Sequence, residues 1–400
     1  MRGCAPESPR FSALVKAGGV GDNDQVTEHL LAIAARVIES AGPGKPADDV
    51  LRNELRGQRE LARGEGRAIS QAVFAYYRWL GWLNSRKPLT ERIRWALQMD
   101  ENFEEKPDSI PNSELRRAIP DWAANCVEVT PAWLKELQKE PVLWLRARPG
   151  TGVQLEQTLG DCHPAGMGPL ADALQYLGSE DLFRTPEFHK GRFELQDLSS
   201  QAVGLACAPQ PGETWWDACA GEGGKALHLS DLMQNKGLLW VSDRAAWRLQ
   251  QLKRRTARAG IFNYRSVPWS GGAKLPTKTK FDGVLVDAPC TGVGTWQRNP
   301  HARWTTTMQD VQELAAVQKQ LVANVVPSLK PGGKLFYAVC TLTRDETTGV
   351  AEAITQQFPQ LKPLPVANPL APTEPPVSQL WLWPQDVGGN GMFITAWQMS

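Results

Sequence analysis

Long apolar runs are missing from this 400-residue chain. None approaches the ~18 residues that would mark a membrane-spanning helix. The first residues carry no extended apolar segment of the kind that opens a secretory signal, so none is expected. An excess of either charge is missing too. Lys and Arg number 44 against 43 Asp and Glu, a formal net charge of +1, so an anionic ligand would have to be met by a local patch. Cysteine is sparse: seven residues, odd in number and scattered. That speaks against a disulfide framework and fits a reducing, cytoplasmic setting. The five histidines are dispersed, and Cys162-His163 has no further ligands at metal spacing, so no metal centre is expected.

What is present is enough apolar material, 42% of the residues, for two or three domains. Val26, Leu30, Ile33, Ala34 and Val37 recur at helical spacing, as do Ile69, Val73, Tyr76, Tyr77 and Leu80. Residues 24–140 therefore read as a helical domain behind a flexible N-terminus over 1–23. Gly42-Pro43-Gly44 ends the first helix. The charge cluster from Asp100 to Asp108 reads as a surface loop, with a further helical stretch over 113–140. Residues 141–200 read as a small connecting α+β element, with a strand at 141–146, a short helix at 154–159 and an edge strand at 193–197. From 201 to 400 strands and helices alternate, the mark of a parallel α/β sheet. Strands are expected at 214–218 and 238–241, and a long helix over 308–329 stopped by Pro331-Gly332-Gly333. A proline-rich loop over 362–376 and a closing antiparallel hairpin at the sheet edge, from 380–383 and 392–397, complete the domain.

Two short strings carry the chemistry: Asp287-Ala288-Pro289-Cys290 and Ala338-Val339-Cys340-Thr341. Each places a cysteine after a run that reads as a buried strand. Open α/β folds bind ligands at the carboxyl ends of their strands, and a thiolate is the strongest nucleophile among side chains. The pair points to covalent catalysis. Ahead of it lie a strand, the turn Gly221-Glu222-Gly223-Gly224-Lys225, a helix, and a strand ending at Ser242-Asp243. This is the outline of a nucleoside-binding half-fold in which Asp243 would bind ribose hydroxyls. The turn is neither GxGxxG nor a Walker loop, which disfavours NAD and ATP and leaves S-adenosylmethionine. Lys225 reads either as a helix-surface lysine or as a partner for a carboxylate in the site. Cys4, Cys126, Cys162 and Cys207 read as small apolar fillers, and Cys219 as a packing residue within the turn.

These strings resemble those of the Sun/RsmB (Fmu) family of RNA 5-methylcytosine methyltransferases. The segments Gly191 to Gln201, Asp217 to Lys225 (similar to the family's DACAAPGGK), Asp287 to Cys290, Arg298 to Trp304 and Tyr337 to Thr341 follow in the family's order, over residues 190 to 400. The helical region is similar to the family's NusB-like RNA-binding domain, chiefly over Arg63 to Leu80. The resemblance implies a Rossmann-like, S-adenosylmethionine-dependent methyltransferase sheet behind an all-helical N-terminal domain, acting on RNA, ribosomal RNA foremost. It implies cofactor contacts from Cys219, Ala220, Gly221, Glu222, Gly223, Gly224, Lys225, Asp243 and Asp287. It makes Cys340 the nucleophile that adds to carbon 6 of cytosine, Cys290 the thiol that assists release, and Asp287 a hydrogen-bonding partner of the base. Four departures stand out. Gly221-Glu222 replaces Ala-Pro, Pro268-Trp269 stands where an acid facing adenine is expected, Thr341 replaces the commoner Ser, and Asn390-Gly391-Met392-Phe393 replaces Asp-Gly-Phe-Phe.

For RNA contacts, Arg244, Arg248, Lys253, Arg254, Arg255, Arg258 and Arg265 form a run without acids after Asp243. It reads as a phosphate-neutralising patch or as a solvated helix face. Arg298, His301, Arg303 and Trp304 are expected to meet the target strand, with Trp296 and Trp304 as stacking surfaces. Arg63, Arg67, Arg78 and Arg86 form an expected docking face on the helical domain. Two other readings stay open: a transfer-RNA cytosine methyltransferase of the same mechanism, and a non-catalytic RNA-binding or assembly protein with a decayed cofactor site.

Overall fold

The computed structural model describes residues 27–58, 61 and 64–400; the N-terminus expected to be flexible over 1–23, and Arg63, lie outside the described residues. Helix α1 (Glu28–Ser40) is capped by Thr27, whose side chain accepts from the Leu30 amide, and buries Leu30, Leu31, Ile33, Ala34 and Val37. That face joins α2 (Ala47–Gly57), α3 (Glu65–Arg78) and α4 (Leu89–Glu105) around a core that includes Ile69, Val73 and Ile93. Helix α4 runs through the first part of the charge cluster that was expected to be a loop, as far as Glu105; Lys106 to Asp108 beyond it are exposed. Asp100 turns inward, where its carboxylate takes the Arg78 guanidinium and, at 2.5 Å, Trp79 Nε1. Glu101, Glu104 and Glu105 face water. The stretch expected to be helical from 113 is instead two 3-10 turns, Leu115–Ala118 and Asp121–Asn125, and one short helix, α5 (Pro131–Glu136). Prolines 120 and 131, without amide protons, hold the segment in pieces.

A small antiparallel sheet follows, with order β2-β3-β1-β4. It is built from β1 (Leu143–Ala147), β2 (Cys162–Pro164), β3 (Ala173–Tyr176) and β4 (Phe193–Leu195), with α6 (Gly152–Leu159) between the first two. Buried charge ties it to the main domain. Glu194 accepts from Arg148, Arg255 and Arg258, and Asp231 takes Arg146 and Arg148.

The main sheet runs β10-β12-β9-β8-β5-β6-β7, with β11 paired to β12. Its elements in chain order are α7 (Leu198–Cys207), β5 (Thr214–Asp217), α8 (Gly224–Leu232), β6 (Leu238–Val241), α9 (Ala246–Ala259), β7 (Tyr264–Ser266), β8 (Phe281–Asp287), α10 (Pro300–Thr305), α11 (Met308–Val325), β9 (Leu329–Val339), α12 (Thr348–Gln357), β10 (Leu361–Leu364), β11 (Gln379–Leu382) and β12 (Met392–Met399). Strands β5 to β9 are parallel, and β12 runs antiparallel to β9. Both faces of the parallel part are covered, which is why its strands read as unbroken apolar runs. Trp216, Val284 and Leu335 pack on one face, Trp215, Leu285 and Phe336 on the other. Strand order reverses between β5 and β8, and that switch point leaves a crevice at the carboxyl ends.

Two further expectations need correction. Helix α11 ends at Val325 and β9 begins at Leu329, so Pro331-Gly332-Gly333 lies within the strand. Gly332 has φ +75°, and the pairing with β8 shifts register there, as at a bulge. The closing hairpin forms, but β12 is an inner strand: β9 lies on one side, and β10 and β11 share the other.

Candidate active site

The carboxyl ends of β5, β6, β8 and β9 open onto a cavity of about 420 Å³. Between β5 and α8 the chain turns on Gly221 (φ +55°) and Gly223 (φ +95°). Gly221 lines the cavity, and a Cβ there would meet nothing within 4 Å, so its backbone leaves room for a ligand. Glu222 keeps the turn in place without the usual proline, since its carbonyl accepts from Arg255 Nη1 at 3.2 Å. Asp243, just past β6, accepts from the Gly221 amide at 3.1 Å and the Ala245 amide at 2.7 Å. Turn and acid are thus one hydrogen-bonded unit. Asp287, at the end of β8, takes Lys225 Nζ at 2.8 Å, so Lys225 pairs with a site carboxylate rather than lying on a helix surface.

Asp217 was missed as a site residue, although an acid closing the first strand of such a half-fold was the available signal. It is fully buried, and burial, then the neighbouring Asp287, push its pKa up to about 8 against the pull of Lys225. Neither oxygen has a well-formed hydrogen-bond partner, though the Cys219 amide favours the charged form. The folded protein holds this proton more tightly than the unfolded chain does. Stability therefore drains away as pH rises from about 4 to about 8. In Asp217→Asn the drain is absent. The difference in melting temperature, variant minus parent, is expected to grow across that window and then level off; a difference flat with pH in scanning calorimetry would refute it.

The Cys290 and Cys340 sulfurs lie 3.3 Å apart without a disulfide. Pairing of β8 with β9, with Asp287 opposite Ala338, brings the two strand ends side by side. Cys340 is half-buried and lines the cavity, whereas Cys290 is fully buried behind it. A carboxylate that sequence reasoning also missed, Glu346, sits beneath both loops and accepts from the Thr291 amide at 2.8 Å. The other cysteines among the described residues sit where burial disfavours the thiolate. Burial pushes Cys126 up to about 11 and Cys162 to about 12, and lifts Cys207 and Cys219 well above the usual thiol range.

Several residues expected to contact RNA point elsewhere. Arg303 is completely buried and donates to the carbonyls of Arg78, Ala118, Leu137 and Trp296. Trp304 Nε1 donates to Tyr77 O at 2.7 Å. His301 accepts from the Ala47 amide, and burial lowers its pKa to about 4. Trp296 packs between Trp122 and Trp133. Helix α10 is therefore a wedge under the helical part, because its aromatic and cationic groups find apolar neighbours and open carbonyls there. Arg78 is likewise consumed by Asp100, and Arg255 and Arg258 by Glu194. Arg248 and Arg298 do line the cavity; Arg298 is held by Asp197 at 3.0 Å, and Arg248 stands 3.8 Å from Asp243. Arg244, Lys253, Arg254 and Arg265 remain exposed.

Two carboxylates beside a glycine turn at the cavity wall, Asp243 and Asp287, suit a ligand with hydroxyls and positive charge better than one with phosphates. S-adenosylmethionine, a sulfonium with a ribose, fits that donor set and the open face at Gly221. Trp269, also on the cavity wall and packed against Trp216 with ring centroids 5.0 Å apart and planes tilted by 58°, occupies the place expected for an acid. Among the described residues no helix is long and apolar enough to cross a membrane, and no three His, Cys, Asp or Glu are grouped to hold a metal.

Fold and site together define the class: the chain is an S-adenosylmethionine-dependent methyltransferase with a Rossmann-like sheet. More narrowly, it belongs to the RsmB/F family of ribosomal RNA methyltransferases. Residues 204–398 match the family described as 16S rRNA methyltransferase RsmB/F. The chain is 30% identical over 337 residues to the probable ribosomal RNA small subunit methyltransferase B of Synechocystis, covering 78% of this chain and 74% of that protein. A protein of the same description from Bacillus subtilis is 31% identical over 246 residues, 60% of this chain and 55% of its own length. The crystal structure of PH0851 has the same fold, with TM-score 0.72 at 20% identity over 96% of this chain and 100% of its own.

Proposed function

We propose that this chain methylates carbon 5 of cytosine in small-subunit ribosomal RNA through a covalent adduct with Cys340. The observation that carries the reading is the pair of sulfurs 3.3 Å apart, one of them on the cavity wall beside Asp287 and the glycine turn.

Carbon 5 of cytosine is a poor nucleophile. Addition of the Cys340 thiolate to carbon 6 forms an S–C bond and moves the ring's double-bond electrons toward carbon 5, which then becomes nucleophilic. Bound S-adenosylmethionine supplies the electrophilic methyl group. Asp243 and the amides of residues 219–224 would hold it, and the Lys225–Asp287 pair borders it. Asp287 would also meet the polar edge of the base. A base then takes the carbon-5 proton, the C–H electrons restore the carbon 5–carbon 6 double bond, and the S–C bond breaks to release Cys340 as a thiolate; Cys290, within sulfur contact, is assigned to assist that release. Burial of Cys290 behind Cys340 supports this division of roles over its reverse. Arg248 and Arg298 at the cavity are assigned to the RNA strand, and the helical part, 24–140, to docking RNA beside a catalytic part at 201–400, with 141–200 as the link.

The test is product identity. Unmodified small-subunit ribosomal RNA incubated with the protein and methyl-labelled cofactor, then digested to nucleosides, is expected to carry label in 5-methylcytidine. Label in any other nucleoside would overturn the reading. Calorimetric titration with S-adenosylmethionine is expected to show binding; RNA binding without it would favour a non-catalytic assembly role.

A further inference from the structure

Each of the two thiols is followed by a threonine, and both threonines converge on one buried carboxylate. Glu346 Oε1 accepts from the Thr291 amide at 2.8 Å and from Gln318 Nε2 at 3.0 Å. Its Oε2 accepts from the hydroxyls of Thr291, Thr341 (3.1 Å) and Thr343 (2.8 Å). The two threonine hydroxyls also touch each other at 3.0 Å. Gln318, from α11, donates to Pro289 O at 2.9 Å as well, so the residues on both sides of Cys290 are held. Tyr337, in β9, completes the knot: its hydroxyl lies 2.6 Å from Glu346 O and 3.0 Å from Gln318 Oε1, with its single proton aimed between these two acceptors.

A fully buried carboxylate is expensive to maintain, and all five of its donors here are neutral. Burial pushes the Glu346 pKa up, and the hydrogen bonds from Thr291, Thr343 and Gln318 pull it part of the way back. A packing residue would serve the core at less expense. What the carboxylate alone does is collect donors from the loop after β8, the loop after β9 and α11 onto one point.

We propose that Glu346 is a positioning residue that fixes the separation of Cys290 and Cys340 by clamping the two strand-end loops together. It touches neither the glycine turn nor Asp243. The inference gains its catalytic meaning from the proposed function, but the clamp itself is a statement about geometry. The two thiols must act on the same base at different moments, and a displacement of about 1 Å in such a pair costs on the order of 100-fold in rate.

The test uses the full-length protein with Glu346→Ala and the near-isosteric Glu346→Gln, which keeps one acceptor oxygen. The first readout is the rate at which diamide closes a Cys290–Cys340 disulfide, mapped by peptide mass spectrometry. Two thiols lose two protons and two electrons, and the azo reagent becomes the hydrazine. In the parent the rate is expected to be high. It is expected to fall at least tenfold in Glu346→Ala and less in Glu346→Gln. The second readout is methylation of unmodified small-subunit ribosomal RNA. A fall in kcat of about 100-fold is expected in Glu346→Ala, with KM for both substrates and calorimetric cofactor affinity near the parent's, and partial recovery in Glu346→Gln. If Glu346→Ala does not fold, Glu346→Gln and Thr343→Val, which each remove part of the clamp, are expected to give smaller losses in the same order. Disulfide closure at the parent's rate in a folded variant would overturn the proposal. Slowed closure in an enzyme whose methylation survives loss of Cys340 would leave the clamp standing and bring down the adduct mechanism instead.

Discussion

Cys340→Ala is expected to lower methyl transfer to ribosomal RNA by roughly 10⁴-fold or more, the scale seen when a covalent catalyst's nucleophile is removed. Cys290→Ala is expected to behave differently. Cys340 still lines the cavity and can still add to the base, but the neighbouring thiol that helps it leave is gone. Turnover should fall while a protein–RNA complex resistant to detergent accumulates, visible as a shifted band on a denaturing gel. The asymmetry follows from position, since one sulfur faces the cavity and the other is sealed behind it. The opposite pattern, with the complex trapped by Cys340→Ala, would exchange the two roles. Equal loss in both variants with no trapped complex would remove covalent catalysis from the account.

The second large effect is on stability. Arg303→Met is expected to loosen the helical part from the sheet. The guanidinium of Arg303 donates to Arg78 O (3.3 Å), Ala118 O (3.0 Å), Leu137 O (2.8 Å) and Trp296 O (3.3 Å), and three of these carbonyls belong to the helical part. Methionine fills much of the volume but offers no donor. Each stranded carbonyl costs about 1–3 kcal/mol, so losing even two rivals a good share of a domain's margin of about 5–15 kcal/mol. Arg303→Lys should rescue little, because an ammonium cannot reproduce the planar fork. Burial and the nearby Arg78 lower the Arg303 pKa only to about 9, so the group remains charged at neutral pH. Limited proteolysis should cut the variant first between the helical part and β1, and scanning calorimetry should show a separate, earlier transition. A single transition at the parent's temperature would contradict this role for Arg303.

The parallel sheet was largely legible in the sequence because its signals are local. Thr214–Asp217 and Leu238–Val241 announce themselves as apolar runs bounded by a turn and an acid, and the cysteines sit just past their strands. What was not legible depends on which way a side chain points. Arg303 and Trp304 look like an RNA-reading pair, and only the packing of α10 beneath α3 shows them spent on backbone carbonyls. Asp100 looked like part of a solvated loop until Arg78, a full 22 residues earlier, was found against it. Glu346 sits five residues past Thr341 in a stretch rich in threonine and charge, and no local pattern separates it from the exposed Asp345 beside it. Long-range pairing of buried polar groups is invisible to periodicity, and those pairings carry most of the differences between expectation and structure.

The cavity has a consequence for how this protein can be rebuilt. Asp48 from α2, and Phe74 and Arg78 from α3, share its lining with Asp287 and Cys340. The helices are thus not cargo towed by an autonomous enzyme. A chimera that swaps them for a foreign nucleic-acid reader would expose one flank of the reaction chamber to water, so retargeting would have to graft new contacts onto the existing helices rather than exchange them.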